Sequence, residues 1–355
     1  MIIMKKDATC EEINAVVAEA EKYGVSCNVS RGEVLTVIGL VGDERKVPFA
    51  HLEVMPGVKE ARMIETPYKL ISREYNQAFE GRDSSRIISI KGVFIGADQP
   101  VYVAGPCAIE SREQLMRIAE EVKQAGAHVL RGGIFKPRSS VHSFQGLGSR
   151  GAEEARQALE WLHEAGERYC MPVVTEARGE SQVDLIAEYV DIIQIGARNM
   201  YDQDLLGHVG RTGKPVLYKR NFGASIEEFL SFSEYIAAEG NRDIILCERG
   251  VLPIGKGKSL TRYTLDLSAV PVIKKETYLP IIVDPSHATG RRDLIKTMSM
   301  ASIAAGAGGL AIEVHYNPAE SWVDAQQAIT PAELADIISS CNQIHGIVAP
   351  KKQMA

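Results

Sequence analysis

The chain has 355 residues, 45% of them apolar and 24% charged, with a formal net charge of −6, which suits an ordinary globular protein large enough for a barrel plus a small extra module. The acidic balance and the lack of a long Lys/Arg block argue against a nucleic-acid partner, and no apolar run approaches the roughly 18 residues of a membrane span. The opening MIIMKKDATC lacks the order of a signal peptide, and the cysteines at 10, 27, 107, 170, 247 and 341 show no close pairing, so the expected compartment is a reducing cytoplasm.

Residues 1–67 read as a small α/β module. Residues 1–6 form a short apolar strand, and Thr9-Cys10-Glu11-Glu12 is a capping box. Ile13, Val16, Val17 and Ala20 follow at helical spacing. Residues 27–30 and 34–41 suit a hairpin around Arg31-Gly32, 47–55 a shorter helix and 58–64 a closing strand. This βαββαβ order is that of a ferredoxin-like sandwich. It carries no catalytic constellation and reads as a binding or assembly module. Residues 68–98 come between this module and the larger domain after it: 68–86 are polar and mixed, as in a linker, and 87–95 around Gly92 suit a hairpin closing one end of that larger domain.

From 99 to 349, before a short tail at 350–355, strand and helix patterns alternate eight times. The predicted strands are 101–105, 128–131, 172–175, 192–195, 215–218, 244–247, 281–284 and 309–313. Helical patterns come after them, for example at 114–123, 152–169, 226–238, 293–305 and 331–344. Eight βα units in this length predict an α/β fold of the (β/α)8 TIM-barrel type, with its site at the carboxyl ends of the strands. A doubly wound sheet would leave two units without a role.

The strand ends carry chemistry. IIVDPSHATG at 281–290 is an apolar run that stops at Asp284, Ser286 and His287; alone it could be no more than a helix cap. Two sets emerge when all eight ends are considered. Arg131, Lys136, Arg138, Arg198, Lys219 and Arg249 form a cationic set, suited to substrates with several phosphate or carboxylate groups. Cys107, His287, Glu313 and Asp324 could bind a divalent transition metal, although each also has a structural reading as core thiol, loop histidine, buried acid or helix cap. Glu176 ends the third strand. Gly255-Lys256-Gly257-Lys258-Ser259 imitates a P-loop but lacks its first glycine, since residue 252 is Leu. His315, two residues beyond Glu313, reads as a supporting residue rather than a ligand.

With these residues in place, the chain resembles the 3-deoxy-D-arabino-heptulosonate 7-phosphate (DAHP) synthases, most closely the type I beta group with an N-terminal ferredoxin-like regulatory domain. The matching stretches are AGPCAIES (104–111), VLRGGIFKPRSS (129–140), SFQGLG (143–148), PVVTE (172–176), QIGARN (194–199), PVLYKR (215–220), ILCERG (245–250), TLDLSAVP (264–271), VDPSH (283–287) and IEVH (312–315). VSRGE (29–33), PGVKEA (56–61) and PYKLISRE (67–74) extend the resemblance to the first module. The resemblance implies condensation of phosphoenolpyruvate with D-erythrose 4-phosphate, the first step of the shikimate pathway. It implies metal ligation (Mn, Fe, Co, Zn or similar) by Cys107, His287, Glu313 and Asp324. Phosphoenolpyruvate contacts would fall on Arg131, Lys136, Glu176, Arg198, Lys219 and Arg249, and the aldose phosphate on Lys136, Pro137, Arg138 and Ser139. Asp284 would lie near metal and aldehyde, and Lys136 would carry a proton. A tyrosine or phenylalanine effector at the first module and a homo-oligomer, often a tetramer, are also implied.

This sequence departs from the family pattern at Asn221 and Phe222, Val141 and His142, Ala325 and the loop 251–262, which bears on loop shape and acceptor preference. Three rivals are a sister synthase using arabinose 5-phosphate, a Schiff-base aldolase with Lys219 as nucleophile, and a non-catalytic metabolite-binding barrel.

Overall fold

The computed structural model describes residues 1–31, 36–63, 67–80, 84–136, 142–254 and 259–349. Arg138, Ser139 and Val141, and the 255–258 part of the P-loop imitation, lie outside the described residues. The chain forms two compact units: Met1–Ser84 with Glu276–Tyr278, and Ser85–Lys275 with Leu279–Ala355.

In the first unit, β1 (Ile2–Met4), β2 (Ser26–Arg31), β3 (Thr36–Val41) and β4 (Val58–Ala61) make an antiparallel sheet of order β2-β3-β1-β4, the ferredoxin-like arrangement. The capping box starts helix Cys10–Glu21: Thr9 Oγ1 accepts from Glu12 N at 3.2 Å, and Glu12 Oε2 from Thr9 N at 2.8 Å. The helix buries Ile13, Val16 and Ala20 against Ile2, Met4, Ile38 and Leu40, while Val17 is only partly covered. The second helix is a single short turn, Phe49–Glu53, preceded by a 3₁₀ turn at Glu44–Lys46. The stretch read as linker contains another helix, Arg73–Glu80, within this unit. Tyr75 of this helix is buried, as are Tyr68 and Ile71 in the turn before it, so few apolar residues mark the segment among its polar neighbours.

The second unit opens with the expected hairpin, β5 (Ile88–Ile90) and β6 (Val93–Ile95). Lys91 and Gly92 both have positive φ, 46° and 81°, as a two-residue turn of the right twist requires. Eight parallel strands come next: β7 (Val101–Gly105), β8 (Val129–Arg131), β9 (Val173–Ala177), β10 (Ile192–Ile195), β11 (Val216–Lys219), β12 (Ile244–Glu248), β13 (Ile281–Val283) and β14 (Gly309–Glu313). They close into a barrel because β14 pairs with β7, from Gly309↔Val101 to Glu313↔Gly105. Each predicted strand forms within two residues of its expected bounds. Among the described residues, no helix is long and apolar enough to cross a membrane.

The barrel interior is packed, not hollow. Val101, Val103, Val129, Val174, Ile192, Leu217, Ile245, Cys247, Ile282 and Ala311 form one cluster, joined by Ile88, Ile90 and Ile95 of the hairpin. The hairpin therefore plugs the end of the barrel opposite the strands' carboxyl ends.

Candidate active site at the barrel mouth

Side chains along a strand alternate faces, so the residue two places beyond each inward apolar one also faces inward. That step leads from Val129 to Arg131, Val174 to Glu176, Ile192 to Gln194 and Leu217 to Lys219. It likewise leads from Cys247 to Arg249, Ile282 to Asp284 and Ala311 to Glu313. The apolar core thus ends in a polar layer at the carboxyl mouth. On β7 the same position is Gly105 (φ 152°), where an added Cβ would lie 2.1 Å from Arg131 O, so the backbones of β7 and β8 approach too closely for any side chain.

Asp284 is both a helix cap and a member of this polar layer. Its Oδ1 accepts from His287 N at 2.9 Å, starting the short helix Pro285–Thr289. Its Oδ2 takes Lys219 Nζ at 2.5 Å and His287 Nδ1 at 2.7 Å. Asp284 is fully buried, which by itself would raise its pKa, but His287 and Lys219 outweigh burial and hold it well below the usual carboxylate range. Burial is the largest influence on His287 and lowers its pKa, against the opposing pull of Asp284 and Glu313. His287 Nδ1 faces Asp284, and its Nε2 lies 3.2 Å from Glu313 Oε1.

Glu313, at the end of β14, is the hub of the layer. Its Oε1 accepts from Arg131 Nη1 at 3.1 Å, its Oε2 from Gln327 Nε2 at 2.6 Å, and its own N–H donates to Ser286 Oγ at 3.1 Å. Burial opposes its charge, but His287, Arg131 and Lys136 drive its pKa far below the ordinary value. Donor atoms of Cys107, Glu313 and Asp324 lie within 4.8 Å of one another, with Cys107 Sγ 3.4 Å from Asp324 Oδ2. Asp324 reaches this position with left-handed backbone, φ 52°. His287 is not one of these mutually close donors and meets the cluster through Glu313.

The donor set fits a divalent metal. Burial first, then the charges of Glu313 and Asp324, push the Cys107 thiol well above its ordinary pKa; Lys136 and Arg131 offset part of this. A divalent cation among these groups would reverse that balance, because a coordinating thiol gives up its proton. The Cys107 loop is held against β8's loop by Ile109 N to Gly133 O at 2.9 Å, and a Cβ on Gly133 would stand 2.3 Å from Cys107 O.

Four of the predicted cations are buried: Arg131, Lys136, Lys219 and Arg249. Burial works against the Lys136 ammonium, but Cys107 and Glu313 raise its pKa above the usual lysine value. Arg198 lies instead at the exposed rim, in the 3₁₀ turn Ala197–Asn199. Glu176 is half-buried and accepts from Gln194 Nε2 at 2.9 Å. His315 is buried but apart from the metal donors: Asn317 N donates to its Nδ1 at 3.0 Å, and its Nε2 is 3.9 Å from Glu110 Oε2.

Several residues that support the site had no sequence signal. Gln327 and Gln194 orient Glu313 and Glu176, and isolated glutamines are uninformative in sequence. Arg220 was visible beside Lys219, but it is spent on a buried network with Glu248 Oε2 (2.8 Å) and Asp266 Oδ2 (2.9 Å) that ties β11 to β12. Asn221, one of the departures, bridges loops: Nδ2 donates to Ala197 O at 2.7 Å, and Oδ1 accepts from Gly223 N at 2.8 Å.

Comparison with known proteins gives a consistent result. The profile of the DAHP synthetase I family matches residues 78–348, and that of the DAHP synthase ferredoxin-like domain matches residues 1–66. The phospho-2-dehydro-3-deoxyheptonate aldolase of Thermotoga maritima is 46% identical over 329 residues, covering 93% of each chain. The crystal structure of this DAHP synthase from Thermotoga maritima aligns with a TM-score of 0.75 at 43% identity, covering 99% of this chain and 98% of that one. The 2-dehydro-3-deoxyphosphooctonate aldolase of Geobacter sulfurreducens is more distant, 29% identical over 74% of this chain and 99% of its own. Matched over both of its units, the chain belongs to the DAHP synthetase I family.

Proposed function

We infer that this chain condenses phosphoenolpyruvate with D-erythrose 4-phosphate and water, yielding 3-deoxy-D-arabino-heptulosonate 7-phosphate and phosphate. This transferase reaction is the first step of the shikimate pathway to the aromatic amino acids. The observation that carries the reading is the barrel mouth: a thiol–carboxylate cluster of buried Cys107 and Glu313 with half-buried Asp324, in a layer with four buried cations, in a chain with both family domains.

In this reading Cys107, Glu313 and Asp324 hold a divalent ion together with His287, whose ring is oriented by Asp284. Bound there, the ion would polarise the aldehyde carbonyl as a Lewis acid. Arg131, Lys136, Arg198, Lys219 and Arg249 neutralise and orient the carboxylate and phosphate of phosphoenolpyruvate, with Glu176 beside them. This positioning replaces a chance bimolecular encounter with a fixed geometry. Arg138 and Ser139 take the aldose phosphate. Lys136, charged and next to Cys107 and Glu313, carries a proton between the reacting groups. The direct test is phosphate release from phosphoenolpyruvate with four- and five-carbon aldose phosphates. Erythrose 4-phosphate is expected to be turned over at least about tenfold faster than arabinose 5-phosphate, and a chelator to abolish turnover until Mn, Fe, Co or Zn is restored. Preference for the five-carbon sugar, or indifference to chelation, would overturn the substrate or metal assignment.

The N-terminal module binds the regulator, tyrosine or phenylalanine, in a cytoplasmic homo-oligomer, a tetramer. The domain plan is 1–67 regulatory, 68–98 linker and hairpin, 99–349 catalytic and 350–355 tail. Deleting residues 1–70 is expected to remove inhibition by tyrosine or phenylalanine while sparing catalysis, and inhibition that survives the deletion would refute this. A solved truncated DAHP synthase from Thermotoga maritima matches 80% of this chain at 42% identity with a TM-score of 0.70, which makes the deletion a reasonable experiment.

A further inference from the structure

Arg249 is buried, only 6% exposed, and its Nη1 has no hydrogen-bond partner among the described residues. A buried guanidinium end without a partner is costly unless something else holds it or an anion completes it. The group that holds it is aromatic: Arg249 Cζ lies 4.2 Å from the centroid of the Tyr263 ring, well within cation–π range. Tyr263 belongs to no motif shared with the family and stands just before TLDLSAVP, at the end of the divergent loop.

The ring is itself fixed. Phe222, from the loop after β11, stacks on it with centroids 5.4 Å apart and planes 19° apart. Tyr263 N donates to Ala288 O at 2.8 Å, in the helix after β13. Thr264 and Val251 exchange two backbone hydrogen bonds of 2.9 Å, closing the loop at its base. Gly250, at φ 93°, leaves room for the ring's attachment; a Cβ there would stand 2.8 Å from Tyr263 Cβ. The preceding residue extends the brace toward the other half of the site, since Arg262 Nη1 donates to Gln327 Oε1 at 3.1 Å and Gln327 donates to Glu313.

We propose that Tyr263 is a positioning residue for the phosphoenolpyruvate half of the reaction: its ring, backed by Phe222, holds the Arg249 guanidinium so that the unpaired Nη1 is presented to an anionic oxygen of the substrate. Arginine has several rotatable bonds, and the stack removes that freedom before the substrate arrives. The proposal rests on the assignment of Arg249 to phosphoenolpyruvate made above.

The test compares full-length wild type, Tyr263→Leu and Tyr263→Phe, each checked for native circular dichroism and melting. Tyr263→Leu is expected to raise KM for phosphoenolpyruvate about tenfold to thirtyfold and to weaken inhibition by inorganic phosphate by a similar factor. KM for erythrose 4-phosphate should stay within about twofold, and Tyr263→Phe, which keeps the ring face, should restore the first KM. Should Tyr263→Leu fail to fold, Phe222→Leu, which only frees the ring, serves instead and should raise the same KM about threefold. An unchanged KM for phosphoenolpyruvate, an equal rise in both KM values, or no rescue by phenylalanine would each overturn the proposal. If wild type releases no phosphate, the functional reading fails first. Calorimetric binding of inorganic phosphate to wild type and Tyr263→Leu then still decides the Tyr263 proposal, through a loss of affinity in the variant or none.

Discussion

Glu313→Gln is expected to lower kcat/KM by at least about a thousandfold and divalent-metal affinity by at least about a hundredfold. Glu313 is fully buried, and both its oxygens are used: Oε1 by Arg131 and the neighbouring His287, Oε2 by Gln327. An amide replaces one of those acceptors with a donor, so it faces either the Arg131 guanidinium or the Gln327 amide donor to donor. It also removes the negative charge that raises the Arg131 pKa against the opposing pull of burial. The Cys107–Glu313–Asp324 cluster would lose its central anion, leaving a weaker metal site and a misplaced arginine together. Metal content after gel filtration, read beside steady-state phosphate release, checks both halves. A variant that keeps one metal per chain and a tenth of wild-type turnover would remove Glu313 from the site.

The second large effect is expected at Lys219. Lys219→Met should destabilise the fold by about 3 kcal/mol, because it removes the buried cation of an ion pair and leaves the Asp284 charge to His287 alone. Lys219 and Asp284 are 4% and 0% exposed and lie 2.5 Å apart, so solvent does little to soften the loss. Turnover should fall with stability, since Asp284 also orients His287. Chemical denaturation of wild type and variant measures the first effect, and phosphate release the second. The same ion pair argues against Lys219 as a Schiff-base nucleophile, because its Nζ is already engaged. Borohydride added with both substrates is expected to leave no adduct on Lys219. An adduct at that residue, or a Lys219→Met variant as stable as wild type, would reverse this account.

The barrel was legible because its strands are short β-branched runs punctuated by Gly, Pro and charge, such as 281–283 before Asp284. The polar layer was legible for the same reason, since chemistry at strand ends converges once the barrel is known. The linker reading of 68–86 missed helix Arg73–Glu80, because Tyr75 is its one apolar residue shown buried and the buried Tyr68 and Ile71 lie before it among polar residues. The six cations looked equivalent in sequence, yet Arg198 is at the rim while Arg131, Lys136, Lys219 and Arg249 are buried. Neighbouring residues can also differ in role, as Lys219 faces Asp284 while Arg220 braces Glu248 and Asp266.

The two readings of IIVDPSHATG are reconciled in the same way. Capping is local, so sequence alone could place Asp284 before a helix start, and its Oδ1 does accept from His287 N. The other carboxylate oxygen meets Lys219 from 65 positions earlier, and His287 meets Glu313 from another strand. Local pattern, set by the periods of strand and helix, determined the elements, their order and the chemical types gathered at the mouth. Only the closed barrel decided which of those groups touch, because contacts between distant strands depend on register and burial rather than on neighbours in the chain. Gln327 beneath Glu313 and Tyr263 against Arg249 belong wholly to that second category.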